Sequence, residues 1–320
     1  MDIKLLTENI ITEVRKIIMD KDDVIRLVLT AVFSGGHVLL DDVPGVGKTT
    51  LVKTLSHVLG IDYGRIQFVP DLLPSDISGM NIYNQKSMEF ELRLGPVVTN
   101  LLLADEINRA IPRTQSALLE VMEEKQITID NNVYPLPEPF MVIATQNPVD
   151  SENTFPLPAA QMDRFMIKTS IGYPGESGEL NMLRSTGNGI DFSILEKVCS
   201  ADELIRAGRA VSDVSVSEHI LKYIYDIIEG TRTDNALKVG ASPRATKALY
   251  RASKCSAAME GRAYVLPDDV KKMAVPVLAH RLITKGGSYS SKNDAEAILK
   301  MILDRTEAAP DIETVYNMSK

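Results

Sequence analysis

One run of residues constrains this chain more than any other feature. Asp42-Val43-Pro44-Gly45-Val46-Gly47-Lys48-Thr49 follows a short apolar stretch, His37 to Leu40, and leads into the helix-compatible Thr50-Leu51-Val52-Lys53-Thr54-Leu55. A strand, a glycine-containing turn and a helix opening on Gly-Lys-Thr make a phosphate-binding loop, because successive backbone N–H groups at a helix N-terminus form a nest for anionic oxygens. Gly45 and Gly47 let the backbone approach those oxygens closely. Lys48 brings charge to the β and γ phosphates, and the Thr49 hydroxyl suits Mg2+. Pro44, Gly45, Val46, Gly47, Lys48, Thr49 and Thr50 are therefore the candidate nucleotide-holding residues. The pattern usually opens with Gly, and this chain has Asp42 there.

Two further segments carry chemistry. Leu101-Leu102-Leu103-Ala104-Asp105-Glu106 is an apolar run ending in two acids, and ligands of open α/β sheets sit at the carboxyl ends of the strands. Asp105 is the candidate for holding Mg2+ through its water shell, and Glu106 for accepting a proton from the attacking water. The alternative, a helix-capping acid pair, is weakened by the phosphate loop in the same chain. Phe140-Met141-Val142-Ile143-Ala144-Thr145 ends in Gln146-Asn147-Pro148. The Asn147 amide suits a γ-phosphate or a water without adding charge, or else starts a turn before Pro148.

The first half alternates apolar runs with helical periods, as in a parallel sheet covered by helices on both faces. Expected strands are His37 to Leu40, Arg65 to Val69, Leu101 to Ala104, Phe140 to Thr145 and Phe165 to Thr169. Ahead of them, Ile11, Val14, Ile18, Val24, Ile25, Val28, Leu29 and Val32 recur at the spacing of an amphipathic helix pair. Two inserts interrupt this half. Met88, Phe90, Leu92 and Leu94 alternate with Glu89, Glu91 and Arg93 after a turn at Asn84-Gln85-Lys86, which predicts a hairpin over about 76–95. A second hairpin is expected over about 125–139, turning at Asp130-Asn131-Asn132. Its returning arm carries Pro135, Pro137 and Pro139, which excludes it from the centre of a sheet. From Ile194 onward only helical periods recur. Gly and Pro cluster between Gly172 and Gly189, so the expected domains are 1–186 and an all-α 187–320.

Composition narrows the function classes. The chain has 320 residues, 44% hydrophobic and 24% charged, which is enough for about two domains with cores. The net charge of −8 offers no overall attraction to a phosphate backbone or an anionic membrane, and 5% aromatics with no Trp leave few rings for stacking bases. No stretch reaches bilayer-spanning length, and the N-terminal residues carry acids where a signal peptide carries cations, so a cytoplasmic location is expected. Cys199 and Cys255 form no disulfide framework or thiolate metal site and are expected to be buried thiols. His37, His57, His219 and His280 show no metal-ligand spacing and are expected to be structural.

These residues together resemble the AAA+ ATPases and, more closely, the MoxR family. The resemblance rests on Gly35 to Leu40 leading into Val43-Pro44-Gly45, on Ala104-Asp105-Glu106-Ile107-Asn108-Arg109-Ala110, and on Leu118 to Glu124. It extends through Ala144-Thr145-Gln146-Asn147-Pro148 and Leu157-Pro158-Ala159-Ala160-Gln161-Met162-Asp163-Arg164-Phe165, and runs from about residue 10 to about residue 285. It implies an αβα core with a five-stranded parallel sheet followed by a helical lid, with the two hairpins as the helix-2 and pre-sensor-1 inserts. It further implies ATP and Mg2+ as cofactors, Asn147 as first sensor, and Arg164 as an arginine finger serving a neighbouring subunit. Gly240-Ala241-Ser242-Pro243-Arg244 matches the lid motif, so Arg244 is implied to be the second sensor at the nucleotide. On the adenine side, near Ile17, Ile18 and Met19, the family usually carries a Gly where this chain has Asp20.

The leading expectation is an ATP-driven ring, hexameric in this family, that remodels or matures a partner protein together with a von Willebrand factor A domain protein. A DNA translocase or helicase-like motor shares the paired inserts, but Lys86 and Arg93 are the only cations near the first hairpin and the tip of the second is acidic, which favours a protein client. A metal-chelatase ATPase subunit shares the fold and differs in its partners. A non-hydrolysing scaffold is disfavoured by the full set of Lys48, Glu106, Asn147, Arg164 and Arg244. Two readings of Arg164 compete: a surface residue paired with Asp163, and a residue that stabilises a transferring phosphoryl group, worth ~10³ to 10⁵ in rate. Arg109 and Arg113, just after the acids, are read as exposed helix charges in preference to further trans-acting arginines.

Overall fold

The computed structural model describes residues 1–147, 154–184, 190–285 and 292–308. Pro148 and the Gly187–Gly189 stretch lie outside the described residues. The helical spacing ahead of the first strand folds as α1 (Ile3–Val14) and α2 (Asp22–Ser34), which bury Ile11, Val14, Ile25, Val28 and Leu29. The chain then runs through β1 (Val38–Asp41), α3 (Lys48–Leu59), β2 (Tyr63–Gln67) and α4 (Pro74–Ser78). Next come β3 (Gly79–Asn84), β4 (Glu89–Leu94), β5 (Leu101–Asp105), α5 (Pro112–Glu124), β6 (Gln126–Ile129) and β7 (Asn132–Pro135). β8 (Met141–Gln146), α6 (Ala159–Met162), β9 (Ile167–Thr169), α7 (Glu176–Arg184) and α8 (Ala201–Ser212) follow.

All five expected strands join one sheet in the order β2-β5-β8-β1-β9, and every pairing is parallel. β5 is buried at every position and β8 at all but Gln146. Such burial is why these strands read as continuous apolar runs, since a parallel sheet is covered on both faces. The second strand begins two residues earlier than its apolar run suggests. Tyr63 and Gly64 pair with Leu101 and Leu102, while Phe68 and Val69 lie beyond the strand end.

Both hairpins form as isolated two-stranded sheets. β3 pairs with β4 and β6 with β7, each antiparallel. Asp130 and Asn131 take positive φ at the second turn, a conformation that Asp and Asn tolerate better than other side chains. The Asn81 amide donates to the Asp130 carboxylate at 2.7 Å and ties one hairpin to the turn of the other.

The chain divides into two compact units, Leu6–Ala207 and a second formed by Met1–Leu5 with the chain from Gly208 onward. The division falls later than the 186/187 boundary expected from Gly and Pro. The reason lies in residues 194–199, which return to the first unit. Glu196 N–H donates to the Glu13 carboxylate, Lys16 donates to the Ile194 carbonyl, and Val198 N–H donates to the Val58 carbonyl. Cys199 is buried there, with its thiol pushed up to about 12 by burial.

The second unit contains α9 (Glu218–Thr233), β10 (Leu237–Val239), α10 (Pro243–Met259), α11 (Pro267–Leu278), β11 (Ile283–Thr284) and α12 (Lys292–Arg305). It is helical as expected, with one short antiparallel pair, β10 with β11, that the helical periods did not reveal. α9 buries Ile220, Tyr223, Ile224, Ile227 and Ile228 along one face, the i, i+3, i+4 stripe of a packed helix.

Candidate nucleotide site

The loop after β1 has the backbone that phosphate binding requires. Gly45 and Gly47 sit at φ +85° and +89°, where a side chain would be strained. Gly47 caps α3, whose first turn holds no acid and whose leading N–H groups receive no side-chain cap. A helix N-terminus left open in this way is suited to an anion. Lys48 is buried and donates to the carbonyls of Asp42 (2.9 Å) and Val43 (3.3 Å), so its ammonium folds back along the loop. Thr49 and Thr50 are half-buried, Val46 is buried, and Pro44 and Gly45 are exposed.

The departure at the head of the loop has a structural role. The buried Asp42 carboxylate accepts from Ile171 N–H (2.6 Å) and Gly172 N–H (2.9 Å), binding the loop to the chain that leaves β9. Two charge-assisted bonds to backbone satisfy the buried charge. Ile171 also lines a cavity of about 520 Å³ beside the loop, within the size range of nucleotide-sized sites. Gly45, Val46, Gly47 and Thr50 form one wall, and Ile17, Ile18 and Met19 form another, as the resemblance implies for the adenine side. Asp20 takes φ +56°, a conformation that Asp enters more readily than most residues, so the turn a family glycine would make is retained. Lys16, Ile171, Pro174, Ile190, Asp191 and Ile194 also line the cavity. They come from separated segments with no local motif, and the sequence reading did not find them.

The two acids stand at the end of β5 in a dense polar network. Thr145 Oγ1 donates to Asp105 Oδ1 at 2.7 Å and accepts from Glu106 N–H at 2.8 Å, so a hydroxyl on β8 fixes both residues. Glu106 takes φ +57°. Its Oε2 accepts from Gln67 Nε2 at 2.9 Å and pairs with Arg109 Nε at 3.2 Å. Arg109 is therefore a half-buried partner of Glu106, not a simply exposed charge, whereas Arg113 is exposed. Arg65 Nη2 donates to Asp105 Oδ2 at 2.8 Å. Neither Arg65 nor Gln67 was singled out from the sequence. Their signal is polar alternation at Arg65 and Gln67 in a strand otherwise read as apolar.

The register brings the candidates to one sheet edge. Leu40 pairs with Thr145 and Asp41 with Gln146, so the loop after β1 leaves the sheet beside the end of β8, and β8 separates β1 from β5. Asn147 is buried at that end, and its carbonyl accepts from Asn108 Nδ2 at 3.5 Å. Arg164 is not among the residues lining the cavity. Its guanidinium donates to the Leu119 carbonyl (2.6 Å) and pairs with Glu123 (2.7 Å), so its ion-pair partner is on α5 and is not the adjacent Asp163. Arg244, in the second unit, is exposed at the second residue of α10, behind the Ser242 cap that accepts from Ala245 N–H.

Among the described residues no group of three or more His, Cys, Asp or Glu is placed to hold a metal ion. His37 is buried between strands, accepting at Nδ1 from Val142 N–H and donating from Nε2 to the Met122 carbonyl, both at 3.0 Å. Burial, opposed by the Met122 bond and reinforced by Lys125, lowers its pKa to about 4. No helix among the described residues is long and apolar enough to cross a membrane.

Comparison with known proteins agrees with this arrangement. Residues 37–167 match the ATPase family associated with various cellular activities (AAA), and residues 229–302 match the AAA lid domain. The protein YeaC of Bacillus subtilis is 43% identical over 302 residues, covering 94% of each chain. Chaperone MoxR1 of Mycobacterium tuberculosis is 39% identical, covering 96% of this chain and 83% of that protein. A crystal structure from Cytophaga hutchinsonii, described as a candidate ATPase, superposes with a TM-score of 0.88 at 39% identity over 96% of each chain.

Proposed function

The chain belongs to the MoxR family of AAA+ ATPases, and from that premise we propose that it hydrolyses Mg2+–ATP as a ring, at sites completed by a neighbouring copy, to remodel partner proteins. The observation that supports this most is the meeting of an open helix N-terminus, Lys48 and the Asp105–Glu106 pair at the edge of one sheet. The residues suit the cofactors. Thr49 and Asp105 supply hard oxygens of the kind Mg2+ takes, and the apolar cavity wall at Ile17 to Met19 suits a purine. Bound Mg2+–ATP supplies the phosphoanhydride and its charge neutralisation. Lys48 leaves its loop carbonyls to contact the β and γ phosphates, Asn147 orients water, and Glu106 accepts the proton of that water at its carboxylate. Arg244 is the proposed second sensor.

Arg164 acts on the nucleotide of the adjacent copy. Its site on α5's side, away from its own cavity lining, accords with that role. The client is a protein. On the first hairpin Tyr83, Met88, Phe90, Leu92 and Leu94 are exposed while only Lys86 and Arg93 carry positive charge, a surface suited to apolar contact and poorly suited to a phosphate backbone. A von Willebrand factor A domain protein is the proposed partner, the cytoplasm the proposed location and a hexamer the proposed ring.

A mixing experiment tests the reading. Arg164→Ala and Glu106→Gln proteins should each bind nucleotide and assemble, with hydrolysis lowered by about 10²-fold or more. Mixed rings should recover part of the parent rate, at interfaces that join an intact Glu106 to an intact Arg164. Complete absence of recovery in rings verified as mixed overturns the trans assignment.

A further inference from the structure

The edge strand β2 faces the acid pair with residues that the proposed chemistry does not use. Side chains two apart on a strand share a face, so Tyr63, Arg65 and Gln67 project together. Gln67 stands opposite Asp105 in the register and Arg65 opposite Leu103, so Arg65 reaches its carboxylate diagonally. Its Nη2 donates to Asp105 Oδ2 (2.8 Å) and to Gln67 Oε1 (2.9 Å). The Gln67 amide, with its oxygen engaged by Arg65, directs its Nε2 at Glu106 Oε2 (2.9 Å). On the same face the Tyr63 hydroxyl is buried with no hydrogen-bond partner among the described residues.

With Thr145 on Oδ1 and Arg65 on Oδ2, both oxygens of Asp105 are engaged, and a full positive charge lies against the carboxylate proposed to face Mg2+. The Asp105 side chain is 12% exposed while that of Arg65 is 45% exposed, so the acid is fixed and the guanidinium has solvent to move into. Resting on the site reading above, we infer that Arg65 is the counter-cation of Asp105 in the metal-free protein and gives up Oδ2 when the metal binds. It is a positioning residue. It opposes entry of a divalent cation at Asp105.

The test is a Mg2+ titration of the binding of a fluorescent ADP analogue, followed by anisotropy, with thermal unfolding of each protein recorded alongside. Arg65→Gln should lower the Mg2+ concentration at half-binding by about three- to ten-fold, the scale of one partly exposed ion pair. Arg65→Lys, which keeps the charge, should stay within about two-fold of the parent on the same grounds. A half-point unchanged or raised in Arg65→Gln overturns the inference, and so does a Lys variant that shifts as far as Gln. If Arg65→Gln does not purify folded, Arg65→Met keeps the stem, removes the charge and gives the same reading. Asp105→Asn separates the two levels. If Asp105→Asn titrates like the parent, the site reading is wrong. If it loses Mg2+ dependence while Arg65→Gln is unchanged, only the role of Arg65 falls.

Discussion

β5 and β4 are strands of five and six residues from the same unit, and they live in opposite environments. β5 is buried at all five positions, β4 exposed at all six. Apolar content does not explain this, since Phe90, Leu92 and Leu94 make β4 half apolar. Neighbours do: β5 lies between β2 and β8 in a five-stranded sheet, whereas among the described residues β4 pairs with β3 alone. A strand locked on both sides holds Asp105 to Thr145 and the start of Glu106 to the same hydroxyl. A strand with one neighbour keeps an uncovered apolar face, on which Tyr83 and Phe90 stack edge to face at 5.4 Å. One strand holds the proposed catalytic groups in place, and the other leaves an apolar face uncovered.

The largest test of that contrast is a truncation in β5. Leu102 is fully buried in the core cluster, so Leu102→Ala should cost about 2–5 kcal/mol, read as a fall in the unfolding midpoint of the first unit. A loss below about 1 kcal/mol would mean that the site's supporting strand is far looser than its burial implies.

Next comes a titration that reports on the same buried sheet. His37 binds its proton with a pKa near 4 in the folded chain against 6.5 when free. The unfolded chain therefore takes up the proton first as pH falls, so the contribution of neutral His37 is complete above pH 6.5 and is lost progressively toward pH 4. The total is roughly 3 kcal/mol at about 1.4 kcal/mol per pH unit. His37→Gln should lower stability at pH 7 and flatten the decline between pH 6.5 and 4.5, measured as parent-minus-variant midpoints. An equal slope in both proteins would show that His37 is not the titrating group.

What was legible in the sequence follows the same division. The buried strands announced themselves because continuous apolar runs ending in acids or amides have few other uses, and the loop at Gly45 to Lys48 was legible because its backbone demands specific residues. Arg65 and Gln67 were not, because their importance comes from β2 lying beside β5, a fact of sheet order that no local pattern carries. Asp42 stands out in the sequence as a departure, but its partners Ile171 and Gly172 are about 130 residues away. The domain boundary was placed by Gly and Pro punctuation, whereas the segment at 194–199 is held to the first unit by hydrogen bonds to Glu13, Lys16 and Val58.

The smallest expected change in stability lies in β4, and it sharpens the comparison most. Phe90 is 72% exposed, so Phe90→Ser removes little buried surface and should move stability by no more than about 0.5 kcal/mol. It lies on an exposed strand of a two-stranded sheet separate from the five-stranded sheet that carries the acid pair, so nucleotide binding and basal hydrolysis should match the parent. Stimulation of hydrolysis by a partner protein is the quantity expected to fall, because an exposed aromatic at the centre of an apolar face is the kind of residue that carries contact energy. Deleting Asp130 to Val133 in the second hairpin offers a control on route, since Asn81 joins the first hairpin to Asp130. If both changes abolish stimulation, the hairpins act as one surface. If only the deletion does, the apolar face of β4 serves something other than the partner, and the contrast between the two strands loses its functional half.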